Sequence, residues 1–364
     1  MYRRTFARVD LGAYAANVRA LRRMIGGDTK LLAVVKADAY GHGLVPVART
    51  AEKAGADWLG VALAEEGETL RGAGIRLPIL ILGPANEAGT RAAVKSGLTM
   101  AVFTPSHIRM AQQSAEATGL EAQVHIKLDT GMNRVGVKTA EELSALLDAL
   151  AHARGIRLTG AFTHFADGGN PDTRFTDGQL ARFQTFLPLL PPGILIHAAA
   201  SSALPRADAR FGMVRAGIAL YGYPSVAYSE RMMPVMRWEA EVTHVKEVAA
   251  GEAVGYGVTF HAREPMRLAT IAVGYGDGYS RLLSNRGQVL LGGRRCPIIG
   301  RLCMDQVMVD VTGADRIRVG ESAVLLGDQG DERILADELA ELLGTIPYEV
   351  LLAINGRVPR IYAE

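Results

Sequence analysis

A lysine that closes an apolar run and is followed at once by glycines is the most reactive arrangement in this 364-residue chain. In Val34-Val35-Lys36-Ala37-Asp38-Ala39-Tyr40-Gly41-His42-Gly43, Lys36 ends the run Leu31-Leu32-Ala33-Val34-Val35, which reads as a strand buried on both faces. Gly41 and Gly43 signal a tight turn directly afterwards. A lysine in such a place loses hydration, its pKa falls, and the neutral amine becomes available to form a Schiff base. An isolated lysine at a strand end would simply snorkel to water. Here, other reactive residue types stand at equivalent positions further along.

The elements that must hold them follow from the hydrophobic pattern. Short β-rich apolar runs occur at 31–36, 58–63, 78–82, 100–103, 123–128, 158–163, 194–198 and 213–220. Between them, Val45–Ala54 and Ala140–Ala151 carry apolar residues at helical spacing, as do Leu11, Tyr14, Val18 and Leu21 behind the candidate cap Asp10. Eight alternating βα units predict a (β/α)8 TIM barrel closed by right-handed crossovers, with a doubly wound open sheet as the alternative. Chemistry in a barrel gathers where strands end at the C-terminal face. Those ends deliver Lys36 and Tyr40, then Lys127-Leu128-Asp129 leading to Arg134, then His164, His197 with Ser201, and Arg215 with Gly217. His197, between Ile196 and Ala198, reads as a hydrogen-bonded core histidine.

Beyond residue 231 the period changes to two. Glu239–Val245, Arg267–Val273, Gln288–Leu291, Val307–Val311 and Ala323–Leu326 read as strands of a smaller, mostly-β domain, with one helix over Leu335–Leu343. Met232-Met233-Pro234 mark the junction, dividing the chain into a barrel at 1–231 and a β-rich domain at 232–364. Composition is ordinary: 49% hydrophobic, 21% charged, net charge +2. Basic residues are dispersed, which argues against nucleic acid or anionic membrane as a partner. No apolar segment follows Met1–Phe6 and no run of apolar residues is long enough to span a bilayer, so the expected location is cytoplasmic. The two cysteines, Cys296 and Cys303, have no metal-type spacing and are expected as free thiols.

Eight blocks in order, VVKADAYGHG (34–43), HIKLDTGMNRVG (125–136), FTHFA (162–166), VRAGIALYG (214–222), VGYGVTF (254–260), VGYGDGYSR (273–281), GRLCMDQ (300–306) and RVPRIY (357–362), resemble alanine racemase, a pyridoxal-phosphate enzyme that interconverts L- and D-alanine. The resemblance runs nearly the full length and implies the same barrel followed by a β domain. It implies that Lys36 holds pyridoxal 5'-phosphate and acts as the base on one face of the substrate, with Tyr256 of a second subunit in a homodimer acting on the other. A phenol needs nearby positive charge to serve as a base near neutral pH. Arg215 matches the residue that bonds the pyridine nitrogen; it will not give up its proton, so it restrains the charge the ring takes up. Tyr40, Ser201 and the N–H groups of Gly217 and Ile218 match the phosphate site, and His164 is expected to line the cofactor. Arg134 and the Met304 N–H match groups that hold the substrate carboxylate, Tyr275 lines the approach, and Lys127 matches a lysine carbamylated in some members. Ala200 and Gly356 depart from the family pattern, where an asparagine and a tyrosine are common. The missing tyrosine leaves serine or another small amino acid as an alternative substrate. D-Alanine of this kind usually feeds peptidoglycan synthesis. Two other readings are a metal-dependent barrel hydrolase using Lys127, His164 and His197, and a non-catalytic pyridoxal-phosphate carrier. The β domain bearing Tyr256, Tyr275 and Met304 argues against the carrier.

Overall fold

The computed structural model describes residues 3–314 and 316–364. A first strand, β1 (Thr5–Asp10), precedes eight parallel strands: β2 (Lys30–Val34), β3 (Trp58–Val61), β4 (Ile79–Ile81), β5 (Thr99–Val102), β6 (Ala122–Lys127), β7 (Ile156–Phe162), β8 (Leu195–Ala200) and β9 (Met213–Ala216). Strands β2 to β9 close into a barrel, with Leu32 of β2 registered against Trp58 of β3 on one side and Arg215 of β9 on the other. Their continuous apolar runs are buried on both faces, as a parallel sheet inside a ring of helices requires. Interior packing alternates large with small: a Cβ on Gly60 would lie 2.6 Å from Leu32 Cδ2. The doubly wound alternative is therefore excluded.

Helices on the barrel's outside start where capping chemistry predicts. Asp10 Oδ1 accepts from Ala13 N at 2.7 Å to begin Leu11–Ile25. Thr104 and Pro105 open Pro105–Thr118, and Gly119, at φ +68°, closes it. Thr139 caps Ala140–His152.

The second unit is a nine-stranded sheet built from β10 (Met236–Val248), β11 (Met266–Ile271), β12 (Gln288–Leu291), β13 (Arg294–Pro297), β14 (Val307–Asp310), β15 (Ser322–Gln329), β16 (Glu332–Ile334) and β17 (Arg360–Ala363), with β1 as its ninth member. Its order is β13-β12-β15-β10-β1-β17; β11 pairs with β10 and β14, and β16 with β15. Helices Ala336–Leu343 and Pro347–Ala353 accompany it.

The division of the chain differs from the sequence expectation at its start. β1 lies between β10, antiparallel, and β17, parallel, so residues through Ala13, together with Tyr40–Gly43, group with Pro234–Glu364 rather than with the barrel. The alternating burial of β1 suits a sheet wetted on one face and not a parallel barrel strand. The boundary at Met233/Pro234 lies two residues from the expected one. Among the described residues no helix is long and apolar enough to cross a membrane.

Candidate active site

Lys36 does not end a strand. It begins a single helical turn, Lys36–Gly41, in which Ala37, Asp38, Ala39 and Tyr40 have φ of +53°, +53°, +52° and +54°. Left-handed backbone costs an L-residue about 1–2 kcal/mol, and four in a row demand support from outside. Glu66 Oε1 accepts from Ala37 N at 2.6 Å, and Asp38 Oδ1 accepts from Leu44 N at 2.7 Å. Lys36 itself is half-buried; burial and the Arg134 cation lower the pKa of its amine, while Glu66 opposes them.

Arg215 is the centre of the barrel's polar interior. It is 3% exposed. Its Nη1 donates to His197 Nδ1 at 2.8 Å, and Nη2 donates to Thr163 O at 2.7 Å, Ala198 O at 2.8 Å and His164 Nδ1 at 3.3 Å. None of these bonds uses Nε. Burial pushes its pKa down to about 9, leaving it a cation at neutral pH. Because arginine only donates, His197 Nδ1 must accept, so its Nε2–H donates to His125 Nδ1 at 3.0 Å. Gly160 makes room for this chain, since a Cβ there would lie 2.6 Å from His125 Cε1. Burial, reinforced by Arg215, holds both histidines well below their ordinary pKa and therefore neutral. His197 is thus a core histidine as expected, and through this bond it orients Arg215.

His164 is pushed down to about 3 by burial, then by the charges of Arg215, Lys127, Arg134 and Lys36. Four basic side chains therefore act on one neutral imidazole. Lys127, buried at the end of β6, donates to Leu128 O at 2.8 Å; burial, Arg215 and Arg134 push its pKa down to about 7 against the opposing effect of Asp129. Asp129 Oδ1 accepts from Gly131 N and Asn133 N, each at 3.0 Å, and so shapes the loop that carries Arg134. The Phe162 ring ties the group together, with His197 stacked on it at 4.8 Å and the Lys127 and Arg215 cations 5.4 and 5.3 Å from its centroid.

Beside this cluster, Ser201 Oγ accepts from Gly217 N at 2.9 Å, joining the ends of β8 and β9 where Ile218–Tyr221 begins a 3-10 turn. Tyr228 donates its hydroxyl to Ser201 O. Lys36, Lys127, Arg134, His164, Ser201, Arg215, Gly217 and Ile218 all belong to the barrel unit. The metal-hydrolase reading loses a ligand here, because both nitrogens of His197 are already committed.

The remaining expected residues belong to the other unit. Tyr40 is buried with its ring 5.7 Å from Tyr348. Tyr256 stands 70% exposed between Gly255 and Gly257, at φ +78° and +70°, on a turn that lies against Arg301. Tyr275 and Met304 are held side by side through their backbones: Tyr275 N donates to Cys303 O at 3.1 Å and Gly276 N to Met304 O at 2.8 Å. Gly274 permits this approach, as a Cβ there would fall 2.3 Å from Met304 O. Buried Asp277 braces the turn, taking a bidentate pair from Arg3 at 3.0 and 2.6 Å and a contact from Arg357 at 3.5 Å, while Arg357 also reaches Asp305 at 2.7 Å. A Cβ on Gly356 would meet nothing within 4 Å.

Glu66, His125, Thr163, Tyr228 and Asp277 were not foreseen. Glu66 reads in sequence as an ordinary acid in a helix's first turn, and the carbonyl of Thr163 carries no side-chain signal at all. Asp277 had one readable mark, a lone acid in the glycine-rich run Gly274-Tyr275-Gly276-Asp277-Gly278.

Comparison with known proteins agrees over both units. A family model described as alanine racemase, N-terminal domain, matches residues 9–225, and its C-terminal counterpart matches 235–362. The alanine racemase of Symbiobacterium thermophilum is 45% identical over 99% of this chain and 97% of its own length; that of Cutibacterium acnes is 43% identical over 97% and 96%. The crystal structure of the Bacillus anthracis alanine racemase with bound L-Ala-P superposes with a TM-score of 0.94 at 36% identity, covering 100% of this chain and 96% of that one. The Bartonella henselae alanine racemase with covalently bound pyridoxal phosphate gives 0.89 at 31% identity, with 99% of each chain covered. By these measures the chain belongs to the alanine racemase family, pyridoxal-phosphate-dependent isomerases that interconvert L- and D-alanine.

Proposed function

We propose that this chain racemises alanine by moving the α-proton between two bases, Lys36 on one face and Tyr256 of a second subunit on the other, in a cytoplasmic homodimer that supplies D-alanine for peptidoglycan. The observation that carries the reading is the gathering of four basic side chains, Lys36, Lys127, Arg134 and Arg215, around His164, a cup suited to an anionic cofactor and a carboxylate substrate. The residues fit pyridoxal phosphate in three respects. The Lys36 amine is biased toward its neutral, nucleophilic form. Ser201 keeps its own hydroxyl hydrogen while accepting from Gly217, beside the Ile218 N–H at the start of a 3-10 turn. Arg215 is buried with its Nε–H outside its four protein hydrogen bonds.

In this reading Ser201, Tyr40, Gly217 and Ile218 hold the phosphate, Arg215 donates to the ring nitrogen and His164 lines the ring. When bound, the cofactor delocalises the charge left as the α-proton departs. Lys36 Nζ takes or returns that proton on its side and Tyr256 Oη on the other. Arg134, with the Met304 N–H of the second subunit, orients the substrate carboxylate, and Tyr275 of that second subunit narrows the approach. Lys127 reacts in its neutral form with carbon dioxide, losing a proton as the carbamate forms, so that a cation facing Arg134 becomes an acceptor for it. Additional density beyond Nζ, or a carbamate carbon resonance in labelled bicarbonate, tests this; a bare amine rejects it. A chiral assay of the purified protein against alanine and serine tests the main reading, with the open space at Gly356 favouring some activity on serine. Inversion of serine alone, or of neither, would overturn it.

A further inference from the structure

Both carboxylate oxygens of Glu66 are occupied by backbone donors from two different places. Oε1 accepts from Ala37 N at 2.6 Å, and Oε2 accepts from Ala62 N at 2.8 Å and Leu63 N at 3.2 Å. Ala37 opens the left-handed stretch next to Lys36, whereas Ala62 and Leu63 lead from β3 into the helix Ala64–Gly72. One side chain thus staples the lysine's turn to the neighbouring strand end, 29 residues away in sequence. We propose that Glu66 is a positioning residue for Lys36: its carboxylate holds the left-handed turn in place and keeps a negative charge beside the amine. The proposal rests on the reading of Lys36 as the amine that takes the cofactor.

The chemistry demands a carboxylate. Every contact to Glu66 is an N–H, so an amide at this position would turn its own NH2 toward a donor. The charged groups acting on Lys36 are Glu66 from the helix after β3 and Arg134 from the loop after β6, with His164 neutral just beyond β7; the Asp38 carboxylate of its own turn is taken by Leu44 N. Glu66 favours the ammonium form against Arg134 and burial.

The test uses purified protein stripped of cofactor. Competitive acetylation across neutral to alkaline pH, read by mass spectrometry on the peptide containing Lys36, gives the midpoint of its amine; reconstitution with pyridoxal phosphate gives a loading rate. In Glu66→Gln the midpoint is expected to move to lower pH and loading to slow by about tenfold or more. Adding Ala37→Gly, which relieves the positive φ, is expected to recover most of the rate and leave the midpoint shifted. A Glu66 that merely caps its helix would lower the melting temperature and move neither quantity, which would overturn the proposal. Should Glu66→Gln not fold, Glu66→Asp keeps the charge at a shorter reach: slowed loading at an unchanged midpoint supports the proposal, and wild-type loading refutes it. If wild-type protein takes no pyridoxal phosphate at Lys36, the functional reading fails, while the acetylation midpoint still tests Glu66.

Discussion

The barrel rim and the tyrosine-bearing turns of the β unit organise their reactive groups in opposite ways. On the rim, Arg215 is 3% exposed and its donors are taken up by two carbonyls and two histidines, themselves fixed by packing. Burial there lowers the pKa of Lys127, of His164 and of Arg215 itself. On the turns, Tyr256, Tyr275 and Met304 are 70%, 41% and 52% exposed. Their backbones are fixed by glycines and by Asp277, and among the described residues no hydrogen bond holds either phenol. The rim is preorganised by its own unit; the turns preset only the backbone and leave the side chains to a surface outside it.

The comparison can be broken most severely at the two proposed bases. Lys36→Ala is expected to abolish racemisation, by about 10⁴-fold or more, and cofactor retention with it, in a chiral assay and by visible absorbance. Tyr256→Phe, on the exposed side, should cost about 10²–10⁴-fold with the cofactor retained, and should block exchange of the α-proton with solvent deuterium for one enantiomer of alanine only. Equal loss for both enantiomers would remove Tyr256 from the role of second base. Asp277→Asn sharpens the contrast, because it loosens a turn and leaves the rim intact. Arg3 and Arg357 are both partly solvated, so the expected cost is about 1–3 kcal/mol of stability by denaturant titration, with KM for alanine raised more than kcat is lowered.

The smallest expected effect concerns pH and the rim alone. Lys127 sits near 7 in the folded chain against an ordinary value of 10.5. Between these values the unfolded chain binds the extra proton, so stability of the cofactor-free protein should rise with pH across this window; below it both states are protonated and the burial cost is fully felt. Lys127→Met should flatten that slope in carbon-dioxide-free buffer, as read by thermal melting. An unchanged slope would place the titrating group elsewhere.

The eight barrel strands were legible because a parallel strand covered on both faces must be apolar throughout, and all eight lie where the runs fall. The polar rim was legible for a related reason: Lys36 follows one strand, Lys127 ends another and Arg215 lies one residue short of the end of a third, where fold topology gathers chemistry. Short edge strands were not. β13, β16 and β17 are as short as β4, β12 and β14, but each opens on a charged residue, Arg294, Glu332 or Arg360, in place of an apolar run.

Sequence by itself determined the barrel, the change to a β-rich unit near Pro234 and the family, since all of these are written in local periodicity and contiguous motifs. Tertiary structure alone decided that β1 belongs with β10 and β17, that Glu66 meets Ala37, and that Arg215, His197 and His125 form one directed chain. Those are contacts between segments distant along the chain. Their partners are often main-chain N–H and C=O groups, which every residue carries and no sequence distinguishes.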